Sequence, residues 1–416
     1  MIYNILAFGD VMKSIGGIVL AVVILLAMVT IHEFGHYITG KLLGFKINEF
    51  SVGFGPAILK KRSKKTGELF SLRVIPLGGY CAFDGEDELE EEEELDKESE
   101  NEAPMVEVTN EKEEEYPEPK GERFNDQPPW KRIIVLVAGA TMNYLLALLL
   151  IITMFAGFGR PVYQVVKSAP PEENPHISAI ETYESGLQTG DIVLKIEGET
   201  MYLITDYMDV LDGKKQGDVV EVLVERNGEK VTVELPLVWD ADVKNMSDTN
   251  TVIFALGLAS KAELPDKETG ELKMQLTRGG GFSGVTLREG FFETIGNTFA
   301  YSFKIGGTIL RSLGELLTGK LGMEAVGGPI TTIKVTAEAA SDGVLSFLNV
   351  AALIGVNLAV FNLLPVPALD GCKVIFCAIE WIRKKPLNRK VETIINLIGM
   401  VILFGFAILV DLLKLF

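Results

Sequence analysis

Histidine and cysteine are both scarce in this chain, which has three of each among 416 residues. The cysteines are odd in number and lack the spacing of a disulfide framework, so a disulfide-stapled domain is not expected. Basic residues are also in deficit, with 39 Lys and Arg against 57 Asp and Glu. A nucleic-acid partner is therefore not expected. The cysteines are Cys81, Cys372 and Cys377.

The acidic excess comes from one stretch. Between Asp84 and Glu118 there are nineteen acidic residues, against only Lys97 and Lys112. This stretch has too few apolar residues to build a core, which predicts a disordered, self-repelling loop. A docking tail for a basic partner or a metal buffer are the alternatives.

Long apolar runs are plentiful, and hydrophobic residues make up 48% of the chain. Four apolar segments each have about the twenty residues needed to cross the hydrocarbon of a bilayer. The expected fold is therefore a polytopic α-helical membrane protein with four transmembrane helices and soluble parts. The spans run roughly from Ile15 to Thr39, from Ile133 to Gly157, from Val344 to Leu364 and from Thr393 to Leu413.

A zinc-protease motif lies at the end of the first span, where residues 30–40 read TIHEFGHYITG. His32 and His36 are four residues apart, so on a helix their imidazoles project from one face, with Glu33 beside the first. The alternative is two histidines that hydrogen-bond to backbone carbonyls on an apolar helix. Ionisable groups inside membrane segments are costly and usually functional, which favours the metal site.

Catalytic zinc commonly takes three protein ligands and leaves a fourth position for water. The best third candidate is Asp370 in FNLLPVPALDGCK, where two prolines break the third span at the depth of the histidines. Broken backbone at that depth is tolerated only beside protein or a water-filled cavity. Two alternatives remain: Asp370 as the N-cap of a following helix, and Cys372 as a ligand.

Orientation follows from the Lys and Arg residues near the span ends. Eight lie between positions 41 and 73, and five lie between 383 and 390, so both connections should be cytoplasmic. The two termini and the long middle segment are then extracytoplasmic. Seventeen residues separate Ile15 from His32, or about 26 Å of helix. The metal site should therefore lie near the cytoplasmic leaflet.

The middle segment alternates strand-like runs with turns, which predicts an inserted β-rich domain over 160–237. Within it, ESGLQTGDIVLKIEGETM resembles the signature of a PDZ domain, a module that captures peptide ends by strand addition. A structural plug over the active site is the alternative, and the two roles are compatible. A β-like segment with a flexible Gly-rich joint at 238–284 and an amphipathic interfacial helix at 285–330 are expected next, and a fifth span is the alternative for that helix.

The segment after the first span, residues 45–83, has short β runs and a basic turn. An open strand edge there could pair with an extended substrate, although ordinary hairpin packing explains the pattern equally well. The remaining expected parts are the first transmembrane helix at 1–44, an acidic loop at 84–120, and the second, third and fourth transmembrane helices at 121–158, 343–371 and 391–414.

Four motifs together resemble the site-2 proteases, and in particular their bacterial sigma-factor-regulating branch with a PDZ domain. They are IHEFGHY, FNDQPPWKRIIVLVAG, VGGPI and NLAVFNLLPVPALDG, and the likeness covers almost the whole chain. The resemblance implies His32, His36 and Asp370 as zinc ligands and Glu33 as catalytic base. It also implies that Asn357 and Asn362 engage the unwound substrate backbone, and that 45–83 is a membrane-associated β-loop.

Two positions depart from the family pattern. The family often has Gly-Pro where this chain has Gly139-Ala140, with Asn143 retained, and often a second glycine where this chain has Cys372. These departures concern local packing rather than the ligand set.

The expected function is a Zn²⁺-dependent intramembrane endopeptidase of the cell membrane. Its substrates would be single-span proteins whose ectodomains have already been trimmed, such as anti-sigma factors or signal-peptide remnants, and the PDZ-like domain would filter by size or read new peptide ends. A metal transporter and a catalytically inactive membrane scaffold are the alternatives. Glu33 directly after the first histidine serves hydrolysis rather than transport, and the complete set of His32, Glu33, His36 and Asp370 argues against an inactive scaffold.

Overall fold

The computed structural model of the chain divides into two compact units. The helical unit comprises Met1–Thr153 and Ile305–Phe416, and the inserted unit comprises Met154–Lys304. His176 and most of the acidic stretch lie outside the residues that the structure describes. Those residues are 2–86, 116–167, 181–182, 186–238, 252–253, 255–265, 272–278, 280–323 and 326–414.

Helices form most of the helical unit, and strands are the main elements of the inserted unit. The helices are α1 (Ile2–Leu43), α2 (Pro129–Phe158), α3 (Ile204–Leu211), α4 (Phe291–Leu317), α5 (Pro329–Asp342), α6 (Val344–Asn362), α7 (Asp370–Arg383) and α8 (Arg389–Leu413). The strands are β1 (Ile47–Arg62), β2 (Leu69–Phe83), β3 (Arg160–Lys167), β4 (Glu181–Thr182), β5 (Ile192–Ile196), β6 (Glu199–Thr200), β7 (Val219–Arg226), β8 (Glu229–Pro236), β9 (Ala259–Pro265), β10 (Leu272–Arg278) and β11 (Gly280–Leu287).

Four of the described helices are long and apolar enough to cross a membrane, and they coincide with the four expected spans. The shortest has 19 residues, which at 1.5 Å per residue covers about 28 Å, close to the hydrocarbon thickness. The four stretches are Ile15–Leu43, Pro129–Phe158, Val344–Asn362 and Arg389–Leu413.

Residues 47–83 form a curved antiparallel hairpin of β1 and β2. Both strands bend, so residues 49–52 pair with 79–82 on one side and with 69–72 on the other. A buried carboxylate fastens the hairpin to α1, because Glu68 accepts hydrogen bonds from the Tyr37 hydroxyl and from the Lys41 ammonium.

The hairpin buries a polar cluster and exposes several large apolar side chains. Ser51 and Ser71 are buried and hydrogen-bond to each other through their hydroxyls at 3.0 Å, while Arg73 donates to Ser51 at 2.9 Å and to Glu49 at 2.8 Å. A soluble sheet usually buries its apolar face, so the number of large apolar side chains exposed on this hairpin is unusual. Large apolar side chains that point outward are Phe54, Ile58, Leu59, Leu72, Val74 and Ile75.

The inserted unit is built on an antiparallel sheet with the strand order β11-β3-β5-β7-β8, and β6 pairs with β5. Alternate side chains of β7, together with Val193 and Ile196 of β5, point into one apolar core, which α3 covers with Tyr207. A second sheet has the order β10-β9-β4. The unit therefore has its own core, as expected for an autonomous domain.

The structure changes the bounds of two elements expected after residue 237. The Gly-rich joint was expected to be flexible, but Gly280 and Gly281 are paired with Lys167 and Val166 in the sheet, because glycine can continue a strand when a partner supplies the hydrogen bonds. The β-rich domain consequently needs a strand from outside 160–237. The interfacial helix expected at 285–330 starts at Phe291, after β11, and ends at Leu317.

α5 was not predicted as an element, although VGGPI at 326–330 leads into it. Its N-terminus is capped by Asp411 of α8, whose carboxylate accepts the backbone N–H of Ile330 at 2.8 Å and that of Thr331 at 3.1 Å. A Cβ on Gly328 would lie 2.5 Å from that carboxylate, so glycine is required there. The motif therefore includes a helix cap supplied from far along the chain.

Candidate metal centre

Helix α1 carries the first two candidate ligands. His32 and His36 are 9% and 7% exposed, and their rings meet edge to face with centroids 4.7 Å apart. This contact follows from the four-residue spacing, since residues i and i+4 lie one above the other on a helix. The two Nε2 atoms are 3.2 Å apart, so both face the same point.

Asp370 reaches this point because the chain breaks after α6. Pro365 and Pro367 cannot supply the backbone N–H that a continuing helix requires, and Ala368 has a positive φ of 77°. Helix α8 supports the break, since the Asn396 side chain accepts the backbone N–H of Ala368 at 3.3 Å. The chain then enters α7 with Asp370 as its first residue.

The alternative role of Asp370 as an N-cap is wrong. Leu369 is the N-cap residue of α7, and no side-chain hydrogen bond caps this end. The Asp370 carboxylate points instead at the histidines, with Oδ2 at 3.1 Å from Nε2 of His32 and 3.3 Å from Nε2 of His36. Gly371 permits the tight approach, because a Cβ there would lie 2.4 Å from the carbonyl oxygen of Leu363.

These three atoms fit a bound metal cation. Each carries a lone pair, and Asp370 Oδ2 is buried without a hydrogen-bond donor, which leaves its charge uncompensated. Tetrahedral zinc with ligands at 2.0–2.1 Å holds neighbouring ligand atoms about 3.3 Å apart. The separations of 3.1, 3.2 and 3.3 Å match that spacing. Two imidazoles and a carboxylate are also a donor set that zinc accepts.

Helix α2 closes the opposite side of the cluster. The Nδ1–H of His36 donates to the backbone carbonyl of Val135 at 2.9 Å, which leaves Nε2 unprotonated and able to bind a metal. A Cβ on Gly139 would lie 2.3 Å from Nε2 of His36 and 2.7 Å from Cε1 of His32. Glycine is therefore the only residue that fits between α2 and the two rings.

Glu33 lies beside the cluster on the hairpin side of α1. It is half-buried, and its Cγ lies 3.4 Å from the point that a Cβ on Gly79 would occupy in β2. The Glu33 side chain thus lies between α1 and β2.

The two predicted substrate-binding residues differ in their positions. Asn362, the last residue of α6, has its amide Nδ2 at 3.4 Å from Nδ1 of His32. Asn357 is half-buried five residues earlier, which is about 140° away around the helix. Within the described part of the chain, no hydrogen bond joins Asn357 to the cluster. Cys372 is buried in α7, and its thiol is not among the converging atoms.

Sequence reasoning missed the contributions of α2. The Asn143 side chain is 1% exposed and its Nδ2 lies 3.4 Å from Nδ1 of His32. A lone asparagine in an apolar span is the signal that could have indicated a role, because an amide in hydrocarbon needs a partner.

A buried ion pair holds α7 against α2. Glu380 of α7 and Arg132 of α2 are each about 4% exposed at the side chain and form a hydrogen-bonded pair. The other oxygen of Glu380 accepts from Arg389 of α8 and from the backbone N–H of Leu387, both at 2.8 Å. The helix that carries Asp370 is thereby tied to the helix that supports the histidines.

Comparisons with known proteins give one answer over nearly the whole chain. The model of a family described as "Peptidase family M50" matches residues 20–406. Two proteins named "Putative zinc metalloprotease" are similar: one from Clostridium perfringens is 30% identical over 400 residues (95% of this chain, 97% of the relative), and one from Fusobacterium nucleatum is 28% identical over 403 residues (95% and 98%). The "Zinc metalloprotease RasP" of Bacillus licheniformis is 27% identical over 434 aligned positions (90% and 93%).

Proposed function

Since the chain belongs to peptidase family M50 and is a site-2-type zinc metalloendopeptidase of the membrane, with Zn²⁺ as its cofactor, we propose that it cleaves transmembrane segments of single-span proteins. The observation that carries the proposal is the convergence of His32, His36 and Asp370 on helices apolar enough to cross a bilayer. A protease for soluble substrates has no need of a metal cluster within spanning helices.

In this proposal His32, His36 and Asp370 are the zinc ligands. Zinc in such a site supplies Lewis-acid activation of water and of the scissile carbonyl. Glu33 is the general base: it accepts the proton of the attacking water and returns it to the leaving amine. Its half-buried position between α1 and β2 suits this role, because the carboxylate is close to the histidines and yet reachable from the hairpin side.

The substrate helix must unwind before it can be cut, since its peptide bonds are hidden in its own hydrogen bonds. Asn357 and Asn362 are proposed to bind the unwound backbone through their side-chain amides. Asn362 is the better placed, because it lies next to His32. The broken backbone between α6 and α7 gives water a route to the site.

The β1–β2 hairpin is proposed to be a membrane-associated β-loop. Large apolar side chains of the hairpin, such as Ile58 at 60% exposed and Leu59 at 64% exposed, point outward, which suits contact with lipid. β2 passes Glu33 at Gly79, so an extended substrate that paired with this strand would pass the catalytic base.

We place the metal site near the cytoplasmic leaflet of the cell membrane. Both termini and the inserted unit would then be extracytoplasmic, and the hairpin and the α7–α8 connection would be cytoplasmic. The support is the excess of Lys and Arg in the two connections, which retains the adjoining ends of these spans on the cytoplasmic side.

The inserted unit is proposed to be a PDZ-like domain that limits access by substrate size, so that only trimmed single-span proteins reach the site. Anti-sigma factors and signal-peptide remnants are the substrate classes that fit. A peptide could add to the sheet beside β3 only by displacing β11, because eight residues of β11 already pair with β3. Phe282 of β11 also packs on Tyr207, with ring centroids 5.1 Å apart. This favours the size filter over the capture of peptide ends at β3.

The proposal is tested with Glu33→Gln in reconstituted membranes that contain a single-span substrate. We expect bound zinc to stay near one equivalent, because the side chain at position 33 lies beside the ligand set and not in it. Cleavage should fall by at least about 100-fold with the loss of the base. Glu122→Gln, which alters an exposed glutamate, is the matched control and should cleave normally. Undiminished cleavage by Glu33→Gln would refute the mechanism, and an absence of zinc in the unaltered protein would refute the ligand set.

A further inference from the structure

Three positions of α2 line up against the two histidines of α1. Val135, Gly139 and Asn143 are spaced by four residues, so they form one stripe along the helix. The helices are antiparallel here, since Val135 contacts His36 while Asn143 contacts His32. Gly139 lies between these contacts, and because it has no side chain it leaves room for both imidazole rings. Each histidine thus meets its own polar group on α2.

The contact of His36 is settled by backbone chemistry. A carbonyl oxygen can only accept a hydrogen bond, so the Val135 carbonyl at 2.9 Å requires a proton on Nδ1 of His36 and leaves Nε2 for a metal. For His32 to bind through Nε2 as well, its Nδ1 must also carry the proton and must find an acceptor. The question is which group supplies that acceptor.

Two side-chain amides compete for Nδ1 of His32, and both lie at 3.4 Å. Nδ1 bears a single proton, so one amide oxygen at a time can take it. Asn362 is half-buried and can bond with water or substrate, whereas Asn143 is 1% exposed and its Oδ1 is buried without a partner. A 180° rotation of the Asn143 amide exchanges its oxygen and nitrogen, so that the oxygen lies beside Nδ1 of His32 as an acceptor and the nitrogen takes the buried position that Oδ1 held.

We propose that Asn143 is the positioning residue for His32: its amide oxygen accepts the Nδ1–H and so holds the ring with Nε2 unprotonated and directed at the metal. The inference rests on the proposed role of His32 as a zinc ligand. Asn143 and Asn362 then have different roles, because Asn362 is free to bind the substrate backbone. Loss of such a partner commonly lowers metal affinity by about 10–100-fold.

The test compares two variants that keep the Cγ-branched shape of asparagine, in the full-length protein in detergent micelles or lipid nanodiscs. Asn143→Leu has no acceptor, and Asn143→Asp retains one. Zinc affinity is measured by competition with a chromogenic chelator, and the ligand field by the visible absorption of the Co²⁺-substituted protein. We expect Asn143→Leu to bind zinc about 10–100-fold more weakly with an altered Co²⁺ spectrum, and Asn143→Asp to stay within about threefold of the unaltered protein.

Two controls separate this inference from the proposed function. Thr141→Ala changes an exposed residue of α2 and should leave zinc affinity unchanged. His32→Ala should lose zinc, and if it does not, the ligand assignment fails before Asn143 is in question. If Asn143→Leu binds zinc as tightly as the unaltered protein, or if Asn143→Asp is as weak as Asn143→Leu, the positioning role is wrong. If Asn362→Ala alone weakens zinc binding, Asn362 is the acceptor and the proposal is equally wrong.

Discussion

The metal centre joins two regions whose backbones differ. His32 and His36 lie on α1, where an unbroken helix sets their spacing and any helical segment with this motif would bring them together. Asp370 follows a seven-residue break between α6 and α7 that contains two prolines and a residue with φ of 77°. One region is positioned by local periodicity, whereas the other depends on contacts from α2 and α8. This difference predicts which substitutions abolish zinc binding and which only weaken it.

The largest effects should come from the ligands themselves, equally in both regions. His36→Ala and Asp370→Ala each remove one of the three proposed ligands, so we expect zinc affinity to fall by more than about 100-fold and cleavage to reach background. Zinc content by mass spectrometry and cleavage of a single-span substrate are the measurements. If Asp370→Ala retains zinc and His36→Ala does not, the segment after α6 contributes no ligand, and α1 alone holds the metal.

A second, smaller effect should follow when α7 is released from α2. Glu380→Ala leaves Arg132 buried without its carboxylate, which commonly costs about 3–5 kcal/mol. The thermal unfolding midpoint in detergent should drop, and zinc affinity should fall because Asp370 lies on the same helix. Glu392→Ala breaks a more exposed pair with Arg389 and should cost no more than about 1 kcal/mol. Equal midpoints for the two variants would show that the Glu380 pair does not hold α7.

The smallest effect concerns the turn into α7. Gly371→Ala adds a Cβ only 2.3 Å from the carbonyl oxygen of Leu364, and such overpacking costs about 1–3 kcal/mol. The turn must shift, so zinc affinity should fall a few-fold. Gly405→Ala in α8 meets open space and should be neutral or stabilising, by up to about 1 kcal/mol. Unchanged zinc affinity in Gly371→Ala would mean that the break tolerates movement without loss of the site.

The departure from the family pattern at Cys372 can now be interpreted. At Gly371, the first residue after Asp370, a Cβ would clash with the backbone, whereas Cys372 has room for its side chain and is buried in α7. The departure at Gly139-Ala140 is similar. Gly139 is the residue without room for a Cβ, and Ala140 is buried with its methyl group in place.

Much of the fold and of the candidate site was predictable because it depends on local signals. The four apolar segments and the HExxH spacing each lie within a single continuous stretch of chain. Asp370 could be predicted because two prolines break an apolar run, which is a local signal as well. Asn143 is marked locally as a lone amide in an apolar span, but its role could not be predicted, since that role depends on a contact with His32, 111 residues away.

Two further features escaped prediction for the same reason. The local sequence around Gly280 and Gly281 predicts a flexible segment. Only their pairing with β3 makes these two residues part of a sheet. The start of α5 is stabilised by Asp411, 81 residues after Ile330, so the local sequence contains only part of the capping information.

The amino-acid sequence by itself determined the membrane spans and the pair of histidines, because hydrophobic length and helical period are properties of a continuous segment. It also indicated where the third span breaks. Tertiary structure alone decided the rest: that Asp370 reaches Nε2 of both histidines, that Gly139 leaves room for their rings, and that Asn143 meets His32. These depend on how helices pack, since a side chain's partner across a helix interface is set by the approach of two distant segments and not by the spacing within either one.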